Sequence, residues 1–238
     1  MNDADYLSPI LRRCHECGKK SLCLADDLVG NRIDINDRNL IRDRIHEKGN
    51  CIFYQGDGVK SLFFVKSGSV KSIYTSGNGD QQIINFHFPG EVIELLPLNH
   101  SCHSSSAITL EKSVICAFSL HFILAYCEKL PSLLNNIQTR VNVEIEHQHE
   151  VLLSSNHRIA NKRLGIFLLD MVYRQHLKQA NSARLQLTMS RADMANYLGL
   201  APETVSRVLA DYEKQGLILA NKKKIQIPDL NRLIKFIS

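Results

Sequence analysis

The sequence predicts an α+β chain. A sandwich or barrel of short antiparallel strands comes first, a long helix follows, and a small unit of helices closed by two strands ends it. Three observations predict this. Between about residues 50 and 122, short apolar runs alternate with glycine-rich turns. From Pro131 to Gly165 no Gly or Pro intervenes, and apolar residues recur at gaps of three and four. Beyond about residue 185 a capped helix, a glycine turn and a second helix precede two apolar runs joined by three lysines.

Composition narrows the class. The 238 residues suggest one or two domains, and 44% hydrophobic with 22% charged residues is a globular balance that excludes wholesale disorder. The longest uncharged apolar runs, such as Ser113–Leu124, fall well short of the roughly 20 residues that cross a bilayer. The acidic start Met1–Asp5 has no apolar secretory region, so a reducing cytoplasm is the expected compartment. The net charge of +5 permits a nucleic-acid partner without requiring one. Seven cysteines, an odd number, do not read as a disulfide framework; three of them within ten residues read as a metal site.

Taken in order, the basic segment 1–28 shows no period. Residues 36–47 read as a short helix capped by Asn36, with Leu40, Ile41 and Ile45 on one face. Strands are expected at Cys51–Tyr54, Ser61–Lys66, Ser69–Tyr74, Gln82–Phe88, Val92–Leu96, Ala107–Leu110 and Val114–Leu120. Between them lie turns such as Gly56–Asp57–Gly58 and Ser76–Asp80. In the long helix, Leu134, Ile137, Val141, Ile145, Gln148 and Leu152 form a narrow stripe opposite a face rich in Glu, His, Gln and Asn. Such a stripe pairs with a second helix, and Gln148 within it weakens the seam or sets its register. Another helix is expected at about 156–178. The resulting divisions are a cysteine-rich segment (1–28), a strand-rich domain (29–125), a pairing helix (126–155) and a C-terminal domain (156–238).

The C-terminal unit has the pattern of a DNA reader. Ser190 can cap a helix with Asp193 as its capping-box partner, and Met194, Ala195 and Leu198 supply the buried face. Gly199 makes the turn, and Pro202 suits the first turn of the next helix. Val205, Val208, Leu209 and Tyr212 face inward, which leaves Glu203, Ser206 and Arg207 side by side on the outer face. Arg can bind guanine O6 and N7, Glu can accept from cytosine N4, and Ser can meet a base or a phosphate. The run Lys222–Lys223–Lys224 between two strands reads as a wing whose lysines lie on phosphate.

Cys14, Cys17 and Cys23 form a C-x2-C-x5-C run that brings three thiolates to one centre. A fourth ligand would complete a Zn site or an Fe–S cluster, and the spacing decides neither the metal nor the fourth ligand among Cys51, Cys102, Cys116 and Cys127. His15 is a weaker alternative. The ten His are scattered, and His147 and His149 diverge on a helix, so they read as surface or packing residues. There is no G-x-S-x-G, P-loop or paired catalytic carboxylate, so no enzyme is expected. A redox enzyme passing electrons through the cluster would need a second cofactor site, and none is legible.

With these motifs in place, the sequence resembles the FNR (fumarate and nitrate reduction regulator) branch of the CRP/FNR family of bacterial transcription regulators, from about Cys14 to Ile227. The resemblance rests on the three-cysteine run, on Ser113–Val114–Ile115–Cys116, and on Gly199 to Arg207. It implies an N-terminal β-roll of the cupin-like, cyclic-nucleotide-binding type, a long dimerisation helix and a C-terminal winged helix-turn-helix. It also implies a [4Fe–4S] cluster on Cys14, Cys17, Cys23 and Cys116 that senses oxygen. Leu22, directly before Cys23, reads either as local packing or as a shield of that cluster. The expected partners are a second copy of the chain, palindromic promoter DNA of the TTGAT-N4-ATCAA type, and RNA polymerase at Gly79 and Asp80. The DNA contacts fall to Glu203, Ser206, Arg207, Lys222 and Lys223. Cyclic AMP is not expected, because Ser104–Ser105–Ser106–Ala107 stands where nucleotide-binding relatives carry an Arg. Activation and repression of genes are both compatible with this design. A constitutive or redox-responsive regulator with structural Zn on the same cysteines is the alternative.

Overall fold

The computed structural model describes residues 41–94, 101–155, 160–175, 178–179 and 181–237. Cys14, Cys17, Leu22, Cys23 and the proposed cap Asn36 lie outside the described residues. The chain divides into two compact units, Met1–Ile145 and Glu146–Ser238.

In the first unit, two antiparallel sheets make a roll. One has the order β1–β7–β3, from Ile41–His46, Ser113–Ser119 and Ser61–Ser67. The other has the order β2–β6–β4–β5, from Cys51–Phe53, Ser106–Thr109, Val70–Thr75 and Gln81–His87. Alternation along β3 and β7 turns Val65 and Ile115 into a core shared with Phe53, Val70, Ile93 and Ala107 of the rest of the roll. Helix α1 (Leu120–Cys127) follows β7 and packs on β3 and β7. Helix α2 spans Pro131–Ser155.

Three expectations change here. Residues 41–46 are a strand and not the end of a helix; they pair with β7 from Ile41↔Phe118 to His46↔Ser113. Two isoleucines four apart share a helix face, but they also share a strand face, since four is a multiple of two. The β7 backbone offers a ladder that local propensity cannot anticipate. Of the expected strand Val92–Leu96, the described residues 92–94 do not form a full strand. Val65 N–H donates to Glu91 O and Ile93 N–H to Phe63 O, yet the pairing amounts to one bridge, Phe64↔Val92. Third, Ile137 is only 2% exposed within the single chain, so it is not available to a partner helix. With Leu133 it forms the inward side of α2, while Leu134 and Ile145 remain exposed. The side chains of Gln148 and Leu152 are outside the described set.

In the second unit, α3 (Ala160–Arg174) ends before the expected residue 178, and Lys178–Gln179 forms strand β8. Then come β9 (Ser182–Gln186), α4 (Arg191–Leu198), α5 (Pro202–Lys214), β10 (Leu219–Asn221), β11 (Lys224–Ile227) and α6 (Leu230–Ile237). The strands form one antiparallel sheet in the order β10–β11–β9–β8. Among the described residues, no helix is long and apolar enough to cross a membrane.

Candidate functional site

The helix pair α4–α5 is built by its caps. Ser190 Oγ accepts from Asp193 N–H at 3.0 Å, and Asp193 Oδ2 accepts from Ser190 N–H at 2.9 Å, so the capping box closes in both directions. Gly199 ends α4 in the left-handed region at φ 62, where a side chain would be strained. Ala201 then leads into Pro202, the first residue of α5. Val205, Val208, Leu209 and Tyr212 are buried, and Glu203, Ser206 and Arg207 are exposed together on the opposite face. The Ser206 hydroxyl donates to Pro202 O at 3.0 Å, so it must rotate away from its own helix before it meets DNA.

Residues that the motif did not single out hold this pair in place. Arg163 Nη1 on α3 donates to Leu198 O at 3.1 Å, bracing the turn between the two helices. Tyr212 Oη donates to Asn161 O at 2.5 Å. Gly165 lets α3 approach closely: a Cβ there would collide with Ile237 Cγ2 and lie 2.7 Å from Tyr212 Oη. A glycine inside a helical pattern is a weak sequence signal of such an approach, whereas the Arg163 contact, 35 residues distant, leaves no local signature.

The wing is a two-residue hairpin with Asn221 opposite Lys224. Lys222 adopts φ 55, rare for a residue with a side chain, and is exposed at the tip. Lys223 is held from both ends: its carbonyl accepts from Leu187 N–H at 2.7 Å and its Nζ donates to Thr188 O at 2.8 Å. That ties the wing to the segment entering α4. Lys223 therefore has a structural bond in addition to its charge.

Cys116 lies on β7, the middle strand of its sheet, directly between Asp43 of β1 and Phe64 of β3. Its neighbour Ile115 points into the roll core, so Cys116 points away from it and is half-buried. Cys51 and Cys127 differ in kind. Cys51 Sγ donates to Phe53 O at 3.0 Å, and burial pushes the thiols of Cys51 and Cys127 up from their ordinary values. Cys102 is exposed in a one-residue bridge with Gly58. Among the described residues, no group of three or more His, Cys, Asp or Glu could hold a metal ion by itself. Cys116 fits the part of one thiolate donor: a soft, half-buried ligand on the face of β7 turned from the roll core, beside buried Phe64.

Gly79 and Asp80 are exposed at the tip of the β4–β5 hairpin, where Ser76 N–H donates to Asp80 O and Gly79 N–H to Ser76 O. Across the roll, Glu94 occupies the donors of residues 103 and 104. It accepts from Ser104 N–H at 2.9 Å and from the Ser104 hydroxyl, and it pairs with His103 Nδ1 at 2.5 Å. His103 stacks on Phe53 at 3.7 Å.

Residues 162–236 match the Crp-like helix-turn-helix domain family, and residues 44–129 match the cyclic nucleotide-binding domain family. Electron transport regulator A of Shewanella oneidensis is 34% identical over 92% of this chain and 88% of its own length. The anaerobic regulatory protein of Haemophilus influenzae is 32% identical over 93% of this chain and 86% of its own. The fumarate and nitrate reduction regulatory protein of Salmonella typhimurium is 30% identical over 92% and 88%. In fold, FixK2 of Bradyrhizobium japonicum superposes with a TM-score of 0.73 at 24% identity, covering 82% of this chain and 96% of FixK2. Identity at this level, carried across the roll and the winged domain alike, leads to one conclusion: the chain belongs to the FNR branch of the CRP/FNR family of transcription regulators.

Proposed function

We propose that the chain is an oxygen-responsive transcription regulator that holds a [4Fe–4S] cluster on Cys14, Cys17, Cys23 and Cys116 and binds DNA as a homodimer. The observation that carries this reading is Cys116. Of the four cysteines outside the N-terminal run, it is on the central strand of a rigid sheet, turned away from the roll core, in the match that the family resemblance singles out. The names of the relatives point the same way, to anaerobic regulation and to fumarate and nitrate reduction.

When bound, the cluster supplies an iron–sulfur centre that oxygen can attack. The chain's own residues do the rest. The thiolates bind the iron, and Arg12, Arg13, Lys19 and Lys20 offset part of their charge. Leu134, Val141, Ile145, Gln148 and Leu152 of α2 pair two subunits. Pairing sets the two α5 helices for successive major grooves, about 34 Å apart, as a palindrome of TTGAT and ATCAA half-sites requires. Arg207 and Glu203 read the G·C pair of each half-site, Ser206 contacts base or phosphate, and Lys222 and Lys223 lie on phosphate. Asp80 and Gly79 offer an exposed hairpin to RNA polymerase. Oxygen shifts the equilibrium toward single subunits, a population shift and not catalysis. The Glu94 carboxylate accepts from Ser104 N–H at the run Ser104–Ala107, which lacks the Arg of nucleotide-binding relatives, and a negative charge there supports a roll that takes no cyclic nucleotide.

Anaerobic purification tests the reading. The expected protein is brown, absorbs near ~400 nm and binds the palindrome until air is admitted. Cys14→Ser, Cys17→Ser, Cys23→Ser and Cys116→Ser should each lose the colour, and Cys51→Ser, Cys102→Ser and Cys127→Ser should keep it. A colourless protein with stoichiometric Zn would establish the alternative of a structural Zn site, and a full cluster in Cys116→Ser would refute the fourth ligand.

A further inference from the structure

Strand β3 carries one extra residue where it faces β7: Val65 pairs with Ile115 and Ser67 with Val114, so Lys66 is bulged out of the ladder. A bulge re-aims its side chain. Lys66 Nζ reaches Asp43 Oδ2 at 3.4 Å, yet Asp43 is on β1, two strands away in the order β1–β7–β3. The ion pair therefore spans the strand that carries Cys116. Asp43 is the direct cross-strand partner of Cys116, and directly opposed antiparallel residues share a face with Cβ atoms about 5 Å apart. Phe64, the partner of Cys116 on the other side, is 2% exposed and meets Phe118 edge to face at 5.0 Å, so the β3 side of the thiol is apolar. The Asp43 and Lys66 side chains keep 27% and 31% of their exposure, which leaves their field on Cys116 only partly screened.

We propose that the Asp43–Lys66 pair tunes the metal centre held by Cys116, balancing a negative against a positive charge to set how readily that centre gives an electron to dioxygen. The inference rests on the cluster reading above. The step concerned is a single transfer: one electron leaves the iron–sulfur centre, dioxygen takes it up as superoxide, and no atom or proton moves. A carboxylate next to the centre favours loss of the electron, and an ammonium group opposes it. Asp43→Asn removes a negative charge beside the centre and Lys66→Gln removes a positive one. Asp43 and Lys66 are thus positioning residues with opposite signs of effect.

The test uses the full chain, purified anaerobically, with Asp43→Asn and Lys66→Gln. The readout is the lifetime of the ~400 nm absorbance in air-saturated buffer, and with it the reduction potential of the centre. Asp43→Asn should lengthen the lifetime and raise the potential. Lys66→Gln should shorten the lifetime and lower the potential. Each change should be about three- to tenfold in lifetime, shrinking at high salt. A purely structural pair would move both variants the same way, because both lose the same contact. Shifts of the same sign, or none, overturn the proposal while leaving the cluster reading intact. A wild-type chain with no iron–sulfur colour overturns the cluster reading, and the proposal with it.

Discussion

Gly165→Ala sets two large effects against each other. Alanine in a helix interior is more favourable than glycine by about 1 kcal/mol, so local propensity predicts stabilisation. The structure predicts the reverse. The new methyl would collide with Ile237 Cγ2 and meet Tyr212 Oη at 2.7 Å. Ile237 is the last residue of α6, where the helix end can yield at small cost. Tyr212 cannot yield easily: it is fully buried, packs edge to face on Phe236 at 5.5 Å and donates its hydroxyl to Asn161 O. Displacing it costs about 1–3 kcal/mol for the buried hydrogen bond, and overpacking costs about as much; one movement relieves part of both. The net expectation is a loss of about 1–3 kcal/mol. Urea unfolding followed by circular dichroism is the appropriate assay, since the chain has no Trp for fluorescence. The double-mutant cycle with Tyr212→Phe isolates the clash. Without the hydroxyl, Gly165→Ala should cost at least about 1 kcal/mol less. Stabilisation by Gly165→Ala alone, or an unchanged cost when it is combined with Tyr212→Phe, would refute the reasoning.

Other outcomes follow from the same structure. Glu203→Ala should lose about 1–3 kcal/mol of discrimination at the G·C pair of each half-site without weakening non-specific binding, as read by competition titration of the anaerobic protein. Lys222→Gly should weaken binding to all sequences and flatten the salt dependence without destabilising the fold, because glycine suits φ 55; Lys223→Ala should also lower thermal stability by releasing Thr188 O. Ile145→Glu puts a charge on the exposed side of α2 and should leave mostly single subunits in anaerobic sedimentation; an unchanged dimer would reject that face. Burial pushes the Tyr212 hydroxyl well above its ordinary value, so the unfolded chain ionises first. The native state should lose stability as pH rises above about 10, and Tyr212→Phe should remove that part of the slope in alkaline denaturation.

The recognition half of this protein was legible in the chain because its signals are local. Ser190 with Asp193, Gly199, and Pro202 each act within one turn of helix, and spacing alone puts Glu203 and Arg207 together. The strands from Cys51 to Ser119 were legible for the same reason, since turn glycines bound them. What fails is whatever depends on a distant partner. Ile41–His46 carries a pattern that satisfies either period, and only the free edge of β7 makes it a strand. Ile137 fits the pairing stripe by spacing, yet it is buried within the single chain, which spacing along one helix cannot reveal. By itself, then, the sequence determined the capped helix pair, the turn-bounded strands and the helix face that carries Glu203, Ser206 and Arg207. Only the tertiary structure decided which way Cys116 points, that Asp43 and Lys66 close over its strand, and that Gly165 admits Tyr212. The reason is physical: caps and turns are fixed by interactions over a few residues, whereas sheet register and close packing depend on surfaces brought together from dozens of residues apart.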